Sequence, residues 1–299
     1  MMLKNFGQME QFVREQSGKK RVALAAAHDA DALGSLMMAV DRGIAEAILI
    51  GRRKEIVRVL DEMGKDAGDF RIIEEEDDRA AADKAVELVH RGEADMPMKG
   101  LMHTSTFMKA ILDKEKGLKE DGNLLSQASV FEIPEKDRFL IISDCAVNID
   151  PDLETKIKIT ENAAALAHTL GIEQPKIAVL SAVEVVNPKI RSTVDAAAMR
   201  ERLSDRYLID GPLALDNAID EAAAHHKGIE SPVAGNADIL IVPDLWSGNI
   251  FSKGLVFFAH LRSAGTLNGL KAPVVMSSRT DTVENKYLSI LTAVLQTIR

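Results

Sequence analysis

The chain has 299 residues, 46% of them hydrophobic but only 4% aromatic, so its cores must be built from Ala, Val, Ile, Leu and Met. At about 150 residues per domain the length fits two domains. A net charge of −9 argues against nucleic acid as a partner, because backbone phosphates need clustered Lys and Arg, and a lone cysteine, Cys145, leaves no intramolecular disulfide or cysteine zinc cluster. No apolar run reaches the ~18 residues of a membrane span, and Met1–Lys20 lacks the apolar core of a signal peptide. A soluble cytoplasmic protein with no membrane partner is the expectation.

Short apolar runs alternate with longer amphipathic stretches. Strands are expected at Arg21–Ala26, Ala47–Gly51, Phe70–Ile73 and Met96–Gly100. Helices are expected at Asp31–Arg42, Lys54–Met63, Asp78–His90 and Thr106–Leu112. This order implies a mostly parallel sheet with helices on both faces. Ser129–Ile133 and Phe139–Ser143 are too close to hold a crossover helix, so they are expected to pair antiparallel. The alternation then restarts. Helix Leu153–Leu170, strand Lys176–Leu180, helix Ser192–Leu203, strand Tyr207–Asp210 and helix Leu213–Ala224 come first. Strand Ala237–Val242, helix Ser247–Ser263, strand Ala272–Ser277 and helix Val283–Ile298 complete the chain. A boundary is placed near Asn148–Pro151.

Ligands of open α/β sheets bind beyond the carboxyl ends of strands. After Met96–Gly100 comes Leu101-Met-His-Thr-Ser-Thr106, flanked by Lys99 and Lys109. Its hydroxyls suit either a plain helix cap or an anion held by free N–H groups and the helix dipole. After Ala272–Ser277 comes Ser278-Arg279-Thr280-Asp281, where Arg279 is a planar fork suited to phosphate. Asp281 could pair with Arg279, act as a base beside it, or cap the next helix. Asp144 follows another strand and could be catalytic, orient a neighbour, or satisfy loop N–H groups. Cys145, among small apolar residues, reads as packing rather than as a nucleophile. His28-Asp-Ala-Asp31 is weak evidence for a metal. No Gly-x-Gly-x-x-Gly, P-loop or Gly-x-Ser-x-Gly stands at a strand-to-helix junction, which argues against dinucleotide-fingerprint dehydrogenases, P-loop kinases and serine hydrolases.

Taken together, these strand-end segments resemble the phosphate acetyl/butyryltransferase family, the butyryl branch most closely. The matching segments are Met98–Thr106, Ser129–Pro134, Asp144–Asn148, Val179–Pro188, Asp210–Ala218, Ser231–Gly235, Gly248-Asn249 with Lys253, and Pro273–Arg279. They stand in the family's order from about Lys99 onward.

The resemblance implies two α/β domains like those of isocitrate and isopropylmalate dehydrogenases, with an active site in the interdomain cleft and a homodimer or higher homo-oligomer. The first domain would hold residues 1–147 and 268–299, the second 148–267. The implied reaction is acyl-CoA + phosphate ⇌ acyl phosphate + CoA, with a butyryl or branched acyl group, CoA only as substrate, and no metal or permanent cofactor. The implied catalytic residues are Ser278, Arg279, Asp281 and Asp144. Lys99, His103, Thr104, Ser105, Thr106 and Lys109 would bind phosphate, and Asp216, Asn249 and Lys253 would bind CoA. Acetyl-type members carry their base, an Asp, where this chain has Asn285, so Asp281, Glu284, Asp144 or Asp216 would have to serve. Starting from acyl phosphate, that carboxylate takes the thiol proton of CoA, the thiolate attacks the acyl carbon, and phosphate departs against Arg279. The alternatives are a non-catalytic CoA or acyl-phosphate binding homologue and a metal-dependent β-decarboxylating dehydrogenase.

Overall fold

The computed structural model describes residues 1–16, 18–120 and 122–299. The chain divides into two compact units. One, the terminal unit, comprises Phe6–Asn123 and Ala264–Arg299; the other, the central unit, comprises Met1–Asn5 and Leu124–Ser263. Both are α/β with mostly parallel strands. No helix among the described residues is long and apolar enough to cross a membrane.

The terminal unit opens with α1 (Phe6–Gln16), a helix not expected from the polar, charged N-terminal stretch. Strand β1 (Lys20–Ala25) leads to α2 (Ala30–Asp41), β2 (Ala45–Gly51), α3 (Arg53–Glu62) and β3 (Arg71–Glu74). Then come α4 (Asp78–His90), β4 (Met96–Lys99) and α5 (Thr104–Ile111). The four strands are parallel in the order β3-β2-β1-β4. Val22 to Ala25 and Met96 to Lys99 are all buried, as strands covered on both faces must be. The chain steps outward from β1 through β2 to β3, then returns to the far side of β1. The order therefore reverses between β1 and β4, and a ligand crevice of such a sheet lies beyond the strand ends at that point.

Two features bring those ends together. Gly100 follows β4, and a Cβ there would lie 2.3 Å from the Ala26 carbonyl oxygen, so only glycine permits the approach. The segment expected as strand Ala272–Ser277 makes only isolated bridges, Met98 with Val275 and Leu267 with Val274. Pro273 has no N–H for a ladder. Still, Lys99 N–H donates to the Val275 carbonyl and Val275 N–H to that of Pro97, so the segment runs beside β4. The last helix, α11 (Val283–Gln296), is buried from Asn285 to Leu295 and packs on α1 and α2.

In the central unit β5 (Ser126–Ile133) and β6 (Arg138–Ser143) pair antiparallel, as their spacing requires. Because β6 also pairs with β9 (Ile239–Ile241), the hairpin belongs to this unit, and the division falls at Asn123/Leu124, before the expected position. Helix α6 (Leu153–Thr169), β7 (Lys176–Leu180), α7 (Arg191–Leu203) and β8 (Leu208–Leu213) follow, giving strand order β5-β6-β9-β7-β8. The helix expected over Leu213–Ala224 is two short ones, α8 (Leu215–Ile219) and α9 (Glu221–His226). Extended Asp220 separates them, and its carboxylate caps the second by accepting from Ala223 N–H. Helix α10 (Leu245–Phe257) stops short of the expected Ser263. His260 takes a left-handed conformation, and β10 (Ser263–Asn268) begins at the unit's last residue. A glycine and small polar residues hid that strand from a reading based on branched apolar runs.

Candidate functional site

At the reversal point of the terminal sheet, β4 ends in Lys99, whose side chain is buried to 5% exposure. Its Nζ donates to two main-chain oxygens, Gly100 at 3.3 Å and Met102 at 3.4 Å, and no carboxylate among the described residues forms an ion pair with it. The same Met102 oxygen accepts from Arg279 Nη2 at 3.3 Å. Burial lowers the Lys99 pKa, and the charges of Arg279 and Lys286 push it the same way against the opposing pull of Asp29.

Three helix N-termini meet these cations. Helix α2 is capped by Asp29, which accepts from Asp31 and Ala32 N–H, and α11 by Thr282, which accepts from Asn285 N–H. Helix α5 is different. His103 is its first flanking residue and makes no side-chain cap, and the N–H groups of Thr104 and Ser105 meet no acceptor among the described residues. His103, Thr104 and Ser105 are exposed and Thr106 half-buried at this end. Free N–H groups and a positive dipole end beside two cations form a seat for an oxyanion. Lys109 stands on the last turn of α5, about 7.5 Å along the axis from Thr104 at 1.5 Å per residue, outside this group.

The Ser278–Asp281 turn closes on itself. Asp281 accepts Ser278 N–H at 2.7 Å, Asp281 N–H donates to the Ser278 carbonyl at 3.2 Å, and the Ser278 and Thr280 hydroxyls lie 3.1 Å apart. Buried Lys286 donates to the Asp281 carbonyl and has Asp31 Oδ2 at 3.8 Å. Lys286 was not among the residues expected at the site, although it is the one basic residue of the final helix. Asn285, at the position of the acetyl-type base, is buried.

Most of the remaining candidates lie in the central unit. Asp144 is 3% exposed and accepts five hydrogen bonds, from the N–H groups of Gln127, Ala146, Val147 and Asn148 and from Asn148 Nδ2. Of the roles open to it, these contacts are those of a carboxylate that satisfies loop N–H groups. Cys145 beside it is buried, and burial, followed by the Asp144 charge, pushes its thiol up to about 12. Asp216 stands in the first turn of α8 and pairs with Lys227 Nζ at 3.0 Å; Lys227 also holds Glu184, and its hydrogen bond keeps the Asp216 carboxyl below the usual range. Asn249 and Lys253 stand one turn apart on α10. The Asn249 amide donates to the Cys145 carbonyl, and Lys253 lies over the Phe257 ring. Of the His28-Asp-Ala-Asp31 group, Asp29 is spent on its helix cap and Asp31 faces Lys286.

The family profile of phosphate acetyl/butaryl transferase matches residues 79–294. The chain is 46% identical to phosphate butyryltransferase of Clostridium acetobutylicum over 299 residues, covering 98% of each. It is 42% identical to phosphate acetyltransferase of Thermotoga maritima over 288 residues, covering 94% of this chain and 97% of that one. Its structure is similar to that of a branched-chain phosphotransacylase from Enterococcus faecalis, with TM-score 0.83 and 35% identity across 93% of this chain and 98% of that one. Full-length similarity of this order has one conclusion: the chain belongs to the phosphate acetyl/butaryl transferase family and is a phosphate acyltransferase.

Proposed function

We propose that the chain reversibly transfers a butyryl or branched short acyl group between CoA and inorganic phosphate, and that the phosphate end of the reaction sits at Lys99, His103–Thr106 and Ser278–Asp281. The observation that carries this reading is the Met102 carbonyl shared by Lys99 and Arg279. It sets an ammonium and a guanidinium side by side at the uncapped start of α5. An ammonium without a carboxylate partner is costly to bury, so its natural complement is an anion from outside the protein.

Starting from acyl phosphate, Arg279 and the Thr104 and Ser105 N–H groups hold the phosphoryl oxygens, and negative charge grows there as phosphate leaves. Among the carboxylates the resemblance left open, Asp281 shares a turn with Arg279 and Ser278, which favours it as acceptor of the thiol proton. Asp144 is committed to loop N–H groups and Asp216 to Lys227, which argues against both. Holding thioester and phosphate together supplies much of the rate, since effective molarities of positioned reactants are large. The test is turnover of acetyl-, propionyl-, butyryl- and isovaleryl-CoA with phosphate. Thiol release with the four-carbon or branched substrates favoured is the expected result. Binding of CoA with no acyl phosphate formed from any of them would leave the non-catalytic reading.

A reaction that uses CoA, an intracellular thiol, supports a cytoplasmic location. We also infer a homo-oligomer. Helix α10 exposes Trp246, Ile250 and Phe257, with Phe258 just beyond, at 59%, 71%, 53% and 89%. A patch of this kind on a soluble protein marks an interaction surface. Light scattering of the wild type and of Ile250→Glu tests it: a multiple of the chain mass, reduced in the variant, is expected.

A further inference from the structure

Helix α11 is buried along most of its length, and a lysine in such a helix would ordinarily run its ammonium out to water. Lys286 does not. It is 3% exposed, its Nζ donates to the Asp281 carbonyl, and the carboxylate facing it, Asp31, lies at 3.8 Å with a side chain 59% exposed. An exposed carboxylate at that distance gives a buried ammonium little compensation. Lys99 is in the same condition, with main-chain oxygens for partners. The charge of Lys286 acts on Lys99 and adds to the cost of burying it.

The other carboxylates nearby also accept N–H groups, Asp29 those of Asp31 and Ala32 and Asp281 that of Ser278, and neither makes a direct contact with the Lys99 ammonium. Lys99 thus feels two further cations, Arg279, which shares its carbonyl at the uncapped start of α5, and Lys286, which acts on it by charge. Inside the fold the two lysines are left to main-chain oxygens and to one exposed carboxylate at 3.8 Å. Two negative charges suit the group better than one.

We propose that Lys286 is a positioning residue of the phosphate seat: it holds the Ser278–Asp281 turn from inside through the Asp281 carbonyl, and its charge makes the seat select a doubly charged oxyanion over a singly charged one. This rests on the phosphate acyl transfer reading. The ligand is a tetrahedral dianion, free phosphate or the phosphoryl end of an acyl phosphate.

The experiment compares Lys286→Met and Lys286→Arg with the wild type in steady-state kinetics, with sulfate and nitrate as doubly and singly charged competitors. In Lys286→Met, KM for phosphate and the inhibition constant of sulfate rise about tenfold or more, the loss of one charge-assisted contact. KM for acyl-CoA and the inhibition constant of nitrate stay within about twofold, and Lys286→Arg recovers most of the phosphate affinity. An unchanged phosphate KM overturns the proposal, and so does an equal change for both substrates and both anions. Should Lys286→Met fail to fold, Lys286→Gln and Lys286→Arg carry the same comparison. If the wild type shows no phosphate-dependent turnover, the functional reading fails instead. Calorimetric binding of sulfate against nitrate to wild type and Lys286→Arg or Lys286→Gln then decides the role of Lys286 alone.

Discussion

Both units bury charge near strand ends, but they compensate it differently. In the central unit Asp144 is surrounded by five N–H donors, and buried Lys156 meets Asp195 at 2.7 Å, which Arg191 also approaches at 3.3 Å. The protein itself answers each charge. In the terminal unit Lys99 and Lys286 are as deeply buried, yet their contacts are carbonyl oxygens and one distant, exposed carboxylate. A buried charge that the fold satisfies is a structural device. One that the fold leaves short marks where a ligand completes the electrostatics.

The contrast can be broken by substitution. Arg279→Ala should lower CoA-dependent turnover about 10²-fold or more, the size seen when an oxyanion donor is removed. A coupled thiol assay reads it, and near-wild-type turnover would remove Arg279 from the site. Asp144→Ala should act on stability, because it strands buried N–H groups, at about 2 kcal/mol in urea unfolding. A variant as stable as the wild type but inactive would return Asp144 to catalysis.

The sharpest comparison pairs two lysines. Replacing a poorly compensated buried charge with an apolar side chain of similar volume is neutral or stabilising, whereas breaking a good pair destabilises. Lys99→Met should therefore melt at or above the wild-type temperature while losing phosphate turnover. Lys156→Met should melt lower, by about 2 kcal/mol, because Asp195 keeps only Arg191. The opposite ranking in thermal melts would end the distinction between the two units.

Arg21 and Asp95 give a pH test in the terminal unit. Burial alone would raise the Asp95 pKa, but hydrogen bonds from Arg21 outweigh it and hold the carboxyl below its usual range. A depressed carboxylate pKa adds stability above the unfolded value of about 3.9 and loses it as pH falls through the folded value. Asp95→Asn should cost about 1 kcal/mol at neutral pH, with the difference closing in acid melts. Cys145→Ser should change turnover least, within about twofold, since a thiol pushed up to about 12 is protonated at neutral pH. Loss of activity in a folded Cys145→Ser protein would instead revive a thiol mechanism.

Much of this was legible in the chain itself. Apolar runs bounded by helix signals located most strands, since strands covered on both faces must be apolar throughout. The ordered segments from Lys99 onward carried the family. What failed locally were elements whose stability is not local. Ser263–Asn268 lacks an apolar pattern, Ala272–Ser277 has one but forms only isolated bridges, and Asp220 divides an otherwise helical run.

Sequence alone determined the α/β fold class and the family, because residue type and order suffice for those, and it put forward Ser278 and Arg279 as candidates. Only the tertiary structure decided which charges are answered. The close approach of Gly100 to β1 and the course of Val275 beside β4 bring Lys99 and Arg279 to one carbonyl, and the burial of α11 keeps Lys286 from water. Compensation of a charge depends on distance and burial, and neither is written in the spacing of residues along the chain.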